Sequence, residues 1–90
     1  MSHAVVLQVK LQEASAEDSQ RMLDELVVPS AKAQPGFQRG IWMRSADNTG
    51  YGVVLFDSEA NASAAVSNLK PPPGGPELIS STVCEVGAEA

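Results

Sequence analysis

Ala4 to Leu11 (AVVLQVKL) is dominated by valine and leucine over a strand's length, and it predicts the first strand. Val5, Leu7, Val9 and Leu11 form one uniformly apolar face. The other face begins apolar at Ala4 and Val6 and turns polar at Gln8 and Lys10. A strand this apolar on both sides is usually covered on both sides. The period then changes. Ser15 is placed to accept a hydrogen bond from a first-turn N–H, and Glu17 and Asp18 sit where the helix dipole favours acids. Met22, Leu23, Leu26 and Val27 follow as one stripe, with Arg21, Asp24 and Glu25 off it. Pro29 either ends this helix near Val28 or opens a further turn running to Ala33, and Pro35-Gly36 closes the segment.

Phe37 to Arg44 (FQRGIWMR) predicts a second strand, with Gly40 as a bulge or a point of close approach. Ser45 to Gly50 (SADNTG) is dense in turn formers and suits a hairpin loop. Tyr51 to Phe56 (YGVVLF) is a third strand, again apolar on both faces. Asp57 or Ser58 caps the next helix, whose stripe is Ala62, Ala65, Val66 and Leu69. A stripe built mostly of alanine lets a helix lie close to what it covers. Pro71 to Pro76 (PPPGGP) excludes helix and central strand and reads as a connecting loop, long enough to serve as a lid or to span back to the sheet edge. Leu78 to Val86 (LISSTVCEV) is a fourth strand, and Gly87 to Ala90 a frayed tail.

The resulting order, β-α-β-β-α-β, is the split βαβ arrangement of ferredoxin-like α+β folds, a four-stranded antiparallel sheet with both helices on one face. The other face is left bare, and a bare apolar face of several hundred Å² is rarely tolerated in a monomer. The economical cover is the same face of a second copy, so residues 1–90 are expected to form one domain that pairs into a homodimer. Ninety residues bury only about 60–65% of the surface that the unfolded chain exposes, which makes a partner subunit the more necessary.

Charge narrows the partners. Six basic residues against eleven acidic give a formal net charge of −5, and the basic ones (Lys10, Arg21, Lys32, Arg39, Arg44, Lys70) are scattered. A nucleic-acid binder needs a basic face, and attraction to anionic membranes needs the same, so neither partner is expected. No run approaches a membrane span's length, and Met1-Ser2-His3 carries no basic leader, which makes the cytoplasm the expected compartment. The single cysteine, Cys84, excludes an intrachain disulfide and a CxxC motif; mid-strand with no basic neighbour, it reads as a small buried hydrophobe. No metal-ligand spacing and no phosphate-binding glycine loop are present, and no cofactor is expected.

The candidate chemistry centres on Trp42. Strand alternation places it on the side of Gln38, Gly40 and Arg44. In a pocket reading its indole walls a small aromatic or hydrophobic ligand, Gly40 gives room, Arg44 holds an anionic oxygen, and Tyr51 and Arg39 stand at the margin. In the competing reading Trp42 is core or dimer packing, and Arg39 and Arg44 pair with surface acids. His3, the single histidine, sits at the edge of the first strand and reads as a surface residue.

The run Gln34-Pro35-Gly36-Phe37-Gln38-Arg39-Gly40-Ile41-Trp42, a turn, then Gly52-Val53-Val54-Leu55-Phe56-Asp57-Ser58-Glu59 and an alanine-rich helix resembles the dimeric α/β-barrel superfamily. It is most similar to the antibiotic-biosynthesis monooxygenase-like branch, which has many bacterial members. The resemblance implies homodimers with sheets packed face to face and a pocket inside each subunit between sheet and helices. It implies oxidation of aromatic substrates without metal or flavin, or haem binding, or isomerisation. The cofactor-free monooxygenases are expected to use a tryptophan, an asparagine and a tyrosine or arginine. Trp42 matches the first, but Asn48 lies in a turn and Asn61 and Asn68 in a helix, so the asparagine is not aligned and the set is partly present. The haem-handling members carry a helical histidine that this chain lacks. The alternative is a non-catalytic ligand-binding, regulatory or structural dimer.

Overall fold

A computed structural model describes residues 2–11, 16–71 and 75–90. The cap expected at Ser15 and the Pro72–Gly74 part of the proline-rich loop lie outside the described residues. The chain runs β1 (His3–Lys10), α1 (Ala16–Met22), a π-helical segment (Leu23–Val27), α2 (Val28–Lys32), β2 (Phe37–Arg44), β3 (Thr49–Phe56), α3 (Glu59–Ala65) with a 3-10 turn (Val66–Asn68), and β4 (Glu77–Glu85). The four strands form one antiparallel sheet in the order β2-β3-β1-β4. This is the ferredoxin-like α+β fold that the order of elements predicted.

Strand pairing settles which side of the sheet faces the helices. Val5 lies across from Val54 and Val83, and Leu7 across from Gly52 and Ser81. The odd-numbered side of β1 is therefore the covered one. Val5, Val54 and Phe56 are fully buried there, with Leu7, Leu69, Ala31, Ala62 and Ala65 around them. Burying each of the larger side chains contributes about 1.5–3 kcal/mol. Ala62 and Ala65 are the buried residues of α3, so that helix sits close on the sheet. Ser58 caps it by accepting the Asn61 N–H at 3.2 Å, and the Asn61 amide donates to the Asp57 carboxylate at 2.7 Å. Gly36, at φ +78°, delivers the chain into β2 against those two side chains, where a Cβ would have no room.

The opposite side of the sheet carries Ala4 and Val6 of β1, Tyr51, Val53 and Leu55 of β3, and Arg39, Ile41 and Met43 of β2. No described helix lies on it, and Ile41 (42%), Met43 (51%) and Tyr51 (36%) are the exposed large apolar residues there. Cys84 sits on this side across from Ala4 and is half-buried, less covered than a core position would make it.

Two irregularities depart from simple alternation. The β2–β3 register shifts between Phe37 and Arg39, so Gln38 drops out of the face it was expected to share with Trp42. Its place on the helix side is taken by Phe37, across from Phe56. The β1–β4 register shifts between Gln8 and Val9, leaving Ile79 outside the pairing and 53% exposed.

Pro29 takes the second of its two expected roles: it lies in the first turn of α2, which runs to Lys32 with Ala33 as its C-cap, and the helix does not end near Val28. Met22, Val27 and Val28 all keep right-handed helical backbone, so α1, the π segment and α2 form one continuous rod. Proline lacks an N–H and its ring clashes with the carbonyl four residues back. Widening the preceding turn relieves that clash: the Val28 N–H reaches the carbonyl of Leu23, five residues back. Among the described residues no helix is long and apolar enough to cross a membrane.

Candidate functional site

The continuous helix touches the sheet unevenly. At its C-terminal end Ala31 is fully buried, whereas the π segment has no buried residue and Leu26 is 54% exposed. Leucine and methionine in the apolar stripe hold this part of the rod away from the strands. The space beneath is a cleft of about 640 Å³, within the range of small-molecule sites. Its helix wall is Met22, Leu23, Leu26 and Val27, and its floor is Leu7, Val9 and Trp42. Leu69, Lys70, Pro71 and Pro76 close one flank.

Trp42 is the largest element of the floor. A Cβ at Gly52 would lie 3.1 Å from its Cδ1 and 3.2 Å from its Nε1, and one at Gly40 would lie 2.9 Å from its Cζ3. The indole is thus laid across two glycines, its pyrrole end over β3 and its benzene end over Gly40. The room that Gly40 was expected to give a ligand is used by the tryptophan itself. That packing joins Trp42 to the buried core on one side while its other side lines the cleft.

Arg44 lies in the same cross-strand row as Gly50 and Val9 and lines the cleft with Trp42. Tyr51 also borders the cleft, yet it pairs with Met43 and Gln8, a parity that directs its side chain to the bare face. Arg39 pairs with Leu55 on that bare face and is absent from the cleft lining. Of the four residues singled out in the sequence, then, Trp42 and Arg44 come together on one wall, while Tyr51 and Arg39 belong to the sheet's other side.

Two further residues line the cleft: Lys70, not singled out for the site in the sequence, and Asn68, set aside there because it falls in a helical stretch. Lys70 follows the 3-10 turn behind α3 as the chain enters its prolines, and Asn68 lines the cleft while its amide donates to the Gln34 side chain at 3.1 Å. That bond ties the end of α3 to the end of α2. Asp18 is the one carboxylate among the described lining residues, and its Oδ1 is 3.6 Å from Arg21 one turn along α1.

His3 is not the free surface residue its position suggested. Its side chain is 18% exposed, its Nε2 is 3.7 Å from Glu59 at the start of α3, and its buried Nδ1 has no hydrogen-bond partner among the described residues. The cause is that β1 begins at His3 itself and the N-terminus of α3 lies over it. His3 does not line the cleft. Among the described residues, no group of three or more His, Cys, Asp or Glu is placed to hold a metal ion.

No family model matches the chain, and no curated protein matches it. Solved structures do. One is SnoaB, a cofactor-independent oxygenase from Streptomyces nogalater, at 13% identity and a TM-score of 0.68 over 98% of this chain and 95% of that one. Another is a protein from Chloroflexus aurantiacus J-10-fl named for antibiotic biosynthesis monooxygenases, at 11% identity and a TM-score of 0.63 over 100% and 98%. Sequence and backbone therefore agree on one point: the chain has the ferredoxin-like fold of the antibiotic-biosynthesis monooxygenase-like structures.

Proposed function

We propose that this protein takes a small aromatic or hydrophobic molecule into the cleft beneath α1 and acts on it as a cofactor-independent monooxygenase. The observation that carries the reading is the cleft itself, open at about 640 Å³ in a chain of ninety residues and floored by an indole. A stacked aromatic substrate covers Trp42 and the half-exposed Leu26, and covering apolar surface contributes roughly 25 cal/mol per Å². In such a reaction the substrate is its own reductant. An acidic C–H or phenol gives up its proton, the anion passes electrons to dioxygen, and a CH2 group becomes C=O with release of water. The protein's part is to hold the anion beside Arg44 and to keep bulk water out.

The fold's bare side fits a second copy. In this reading Ile41, Met43, Tyr51 and Val53 meet their equivalents across a two-fold axis, leaving a cleft within each subunit. A non-catalytic binding role has one observation in its favour: among the described residues the cleft lining contains no histidine, and its one carboxylate, Asp18, lies 3.6 Å from Arg21.

Both readings are separated by adding anthrone, a tricyclic ketone with an acidic CH2, and following oxygen uptake together with Trp42 emission. Turnover gives one dioxygen consumed per quinone formed. Quenching of Trp42 without oxygen uptake supports binding alone, and no response of either kind overturns the ligand reading. The dimer is checked in parallel by native mass spectrometry of wild type and Met43→Lys. The expected result is twice the chain mass, reduced to a single chain in the variant; a monomeric wild type would remove the dimer.

A further inference from the structure

The charge of the cleft runs against that of the chain. Overall the acids outnumber the bases by eleven to six, yet among the described residues the cleft lining contains Arg44 and Lys70 against one carboxylate, that of Asp18. Asp18 is answered on its own helix by Arg21. Arg44 and Lys70 have no carboxylate within ion-pair distance among the described residues. They come from different elements, one ending β2 and the other following α3. Gly50 stands next to Arg44 in the cross-strand row, so no side chain from β3 screens it on that side.

An apolar floor and wall that meet two uncommitted cations have a definite chemical complement. We infer that the cleft selects anionic amphiphiles: molecules with an apolar, ring-sized body and one carboxylate or phenolate group, the body on Trp42 and Leu7 and the anion between Arg44 and Lys70. The guanidinium supplies a planar pair of donors suited to two oxygens, and the ammonium a mobile point charge. A concave apolar wall concentrates the field of both, which draws such a ligand from an otherwise repulsive acidic surface. This inference rests on the cleft being a ligand site, and it adds Lys70 as a specificity-determining residue.

The test uses a matched pair, naphthoate and naphthamide, which differ in charge far more than in shape. Calorimetric titration of the full chain is expected to show naphthoate binding about tenfold more tightly at low salt, the order of two solvent-exposed charge pairs. The gap closes at high salt and in the double variant Arg44→Gln with Lys70→Gln, while naphthamide affinity stays within about twofold, since both substitutions leave the apolar floor intact. Equal binding of acid and amide to wild type would overturn the charge selectivity and leave the cleft reading standing. A tenfold preference that persists in the double variant would also overturn it, because the anion would sit elsewhere. If neither probe binds, the cleft is closed by protein, and the ligand reading fails along with this one.

Discussion

Gly40→Ala tests the placement of Trp42 on which the site depends. The new Cβ would stand 2.5 Å from Cη2 and 2.9 Å from Cζ3 of the indole. Ordinary carbon contacts are about 3.5–4.0 Å, so the ring must retreat by about 1 Å or more. Backbone movement is the costlier answer, because Gly40 is paired with Val54, which is fully buried under the helices. The indole therefore lifts off the sheet into the open cleft. Overpacking of this kind costs about 1–3 kcal/mol. Replacing a strand glycine by alanine returns about 0.5–1 kcal/mol through the unfolded chain, leaving a net loss of up to about 2.5 kcal/mol.

Trp42 is the single tryptophan, so intrinsic fluorescence reports on this ring alone. Gly40→Ala is expected to shift emission to the red, to raise acrylamide quenching, and to lower the urea midpoint. In a Trp42→Leu background the same substitution should be neutral or stabilising by circular dichroism, giving a coupling energy of about 1–3 kcal/mol. Gly52→Ala is the graded control. Its nearest contacts with the indole are 3.1 and 3.2 Å, a shortfall of a few tenths of an ångström, and its effect should be smaller in every readout. Unchanged emission and midpoint in Gly40→Ala, or an equal cost with and without the indole, would refute the packing of Trp42 across the two glycines.

Two further outcomes follow from local hydrogen bonds. Ser58→Ala removes the acceptor for the Asn61 N–H and should cost about 1 kcal/mol in urea unfolding, with Ser58→Asp restoring most of it. Asp47 accepts hydrogen bonds from the Ser45 hydroxyl and from the Thr49 N–H, the latter at 3.1 Å, and these hold its pKa below the ordinary 3.8. A carboxylate whose folded pKa is depressed adds stability that is present above its unfolded pKa and is lost as pH falls through the folded value. Thermal melts of wild type should therefore exceed those of Asp47→Asn at neutral pH and begin to approach them only as pH falls below the ordinary 3.8.

The fold was legible because its signals are local and repeated. Alternating valines in β1 and β3, the proline-glycine stop before Phe37 and the Ser45–Gly50 turn each fix one element, and only a few topologies accept that order. In the hairpin, the Ser45 N–H meets the Thr49 carbonyl at 2.9 Å and Asn48 takes a φ of 64°, so β3 starts at Thr49, two residues before its apolar run. The site was only half legible. Trp42 and Arg44 differ by two, so alternation keeps them together, but the same rule fails at Gln38, where a one-residue register shift cancels it. Tyr51 and Arg39 were chosen for chemistry, and parity puts them on the other face. Lys70 and Asn68 reach the cleft only because α3 folds back over the sheet, a distance relation that no spacing along the chain encodes. His3 escaped for the same reason, being covered by a helix more than fifty residues later.

The location of the cleft follows from a difference between two helices that hold equivalent places in the fold. Both cross the same sheet face and both present an apolar stripe. In α3 the stripe is Ala62 and Ala65, which are buried because a methyl group permits close approach. In the first helix it is Met22, Leu23, Leu26 and Val27, whose bulk keeps the rod at a distance while Ala31 anchors its far end. Pro29 compounds the effect, since the extra residue in the widened turn displaces the stripe relative to the anchored end. A helix held at one end and propped at the other encloses a wedge of space, and the wedge opens toward the end of β2, where Arg44 stands. On this argument the leucines above Trp42 are the walls of a site rather than an imperfect core, and their exposure is the expense of keeping it open. Leu26→Ala should then leave stability almost unchanged, within about 0.5–1 kcal/mol, against about 2–5 kcal/mol for the same truncation at a packed core position. A loss in the upper range on urea unfolding would mean that Leu26 is buried in solution, and that the wedge is closed.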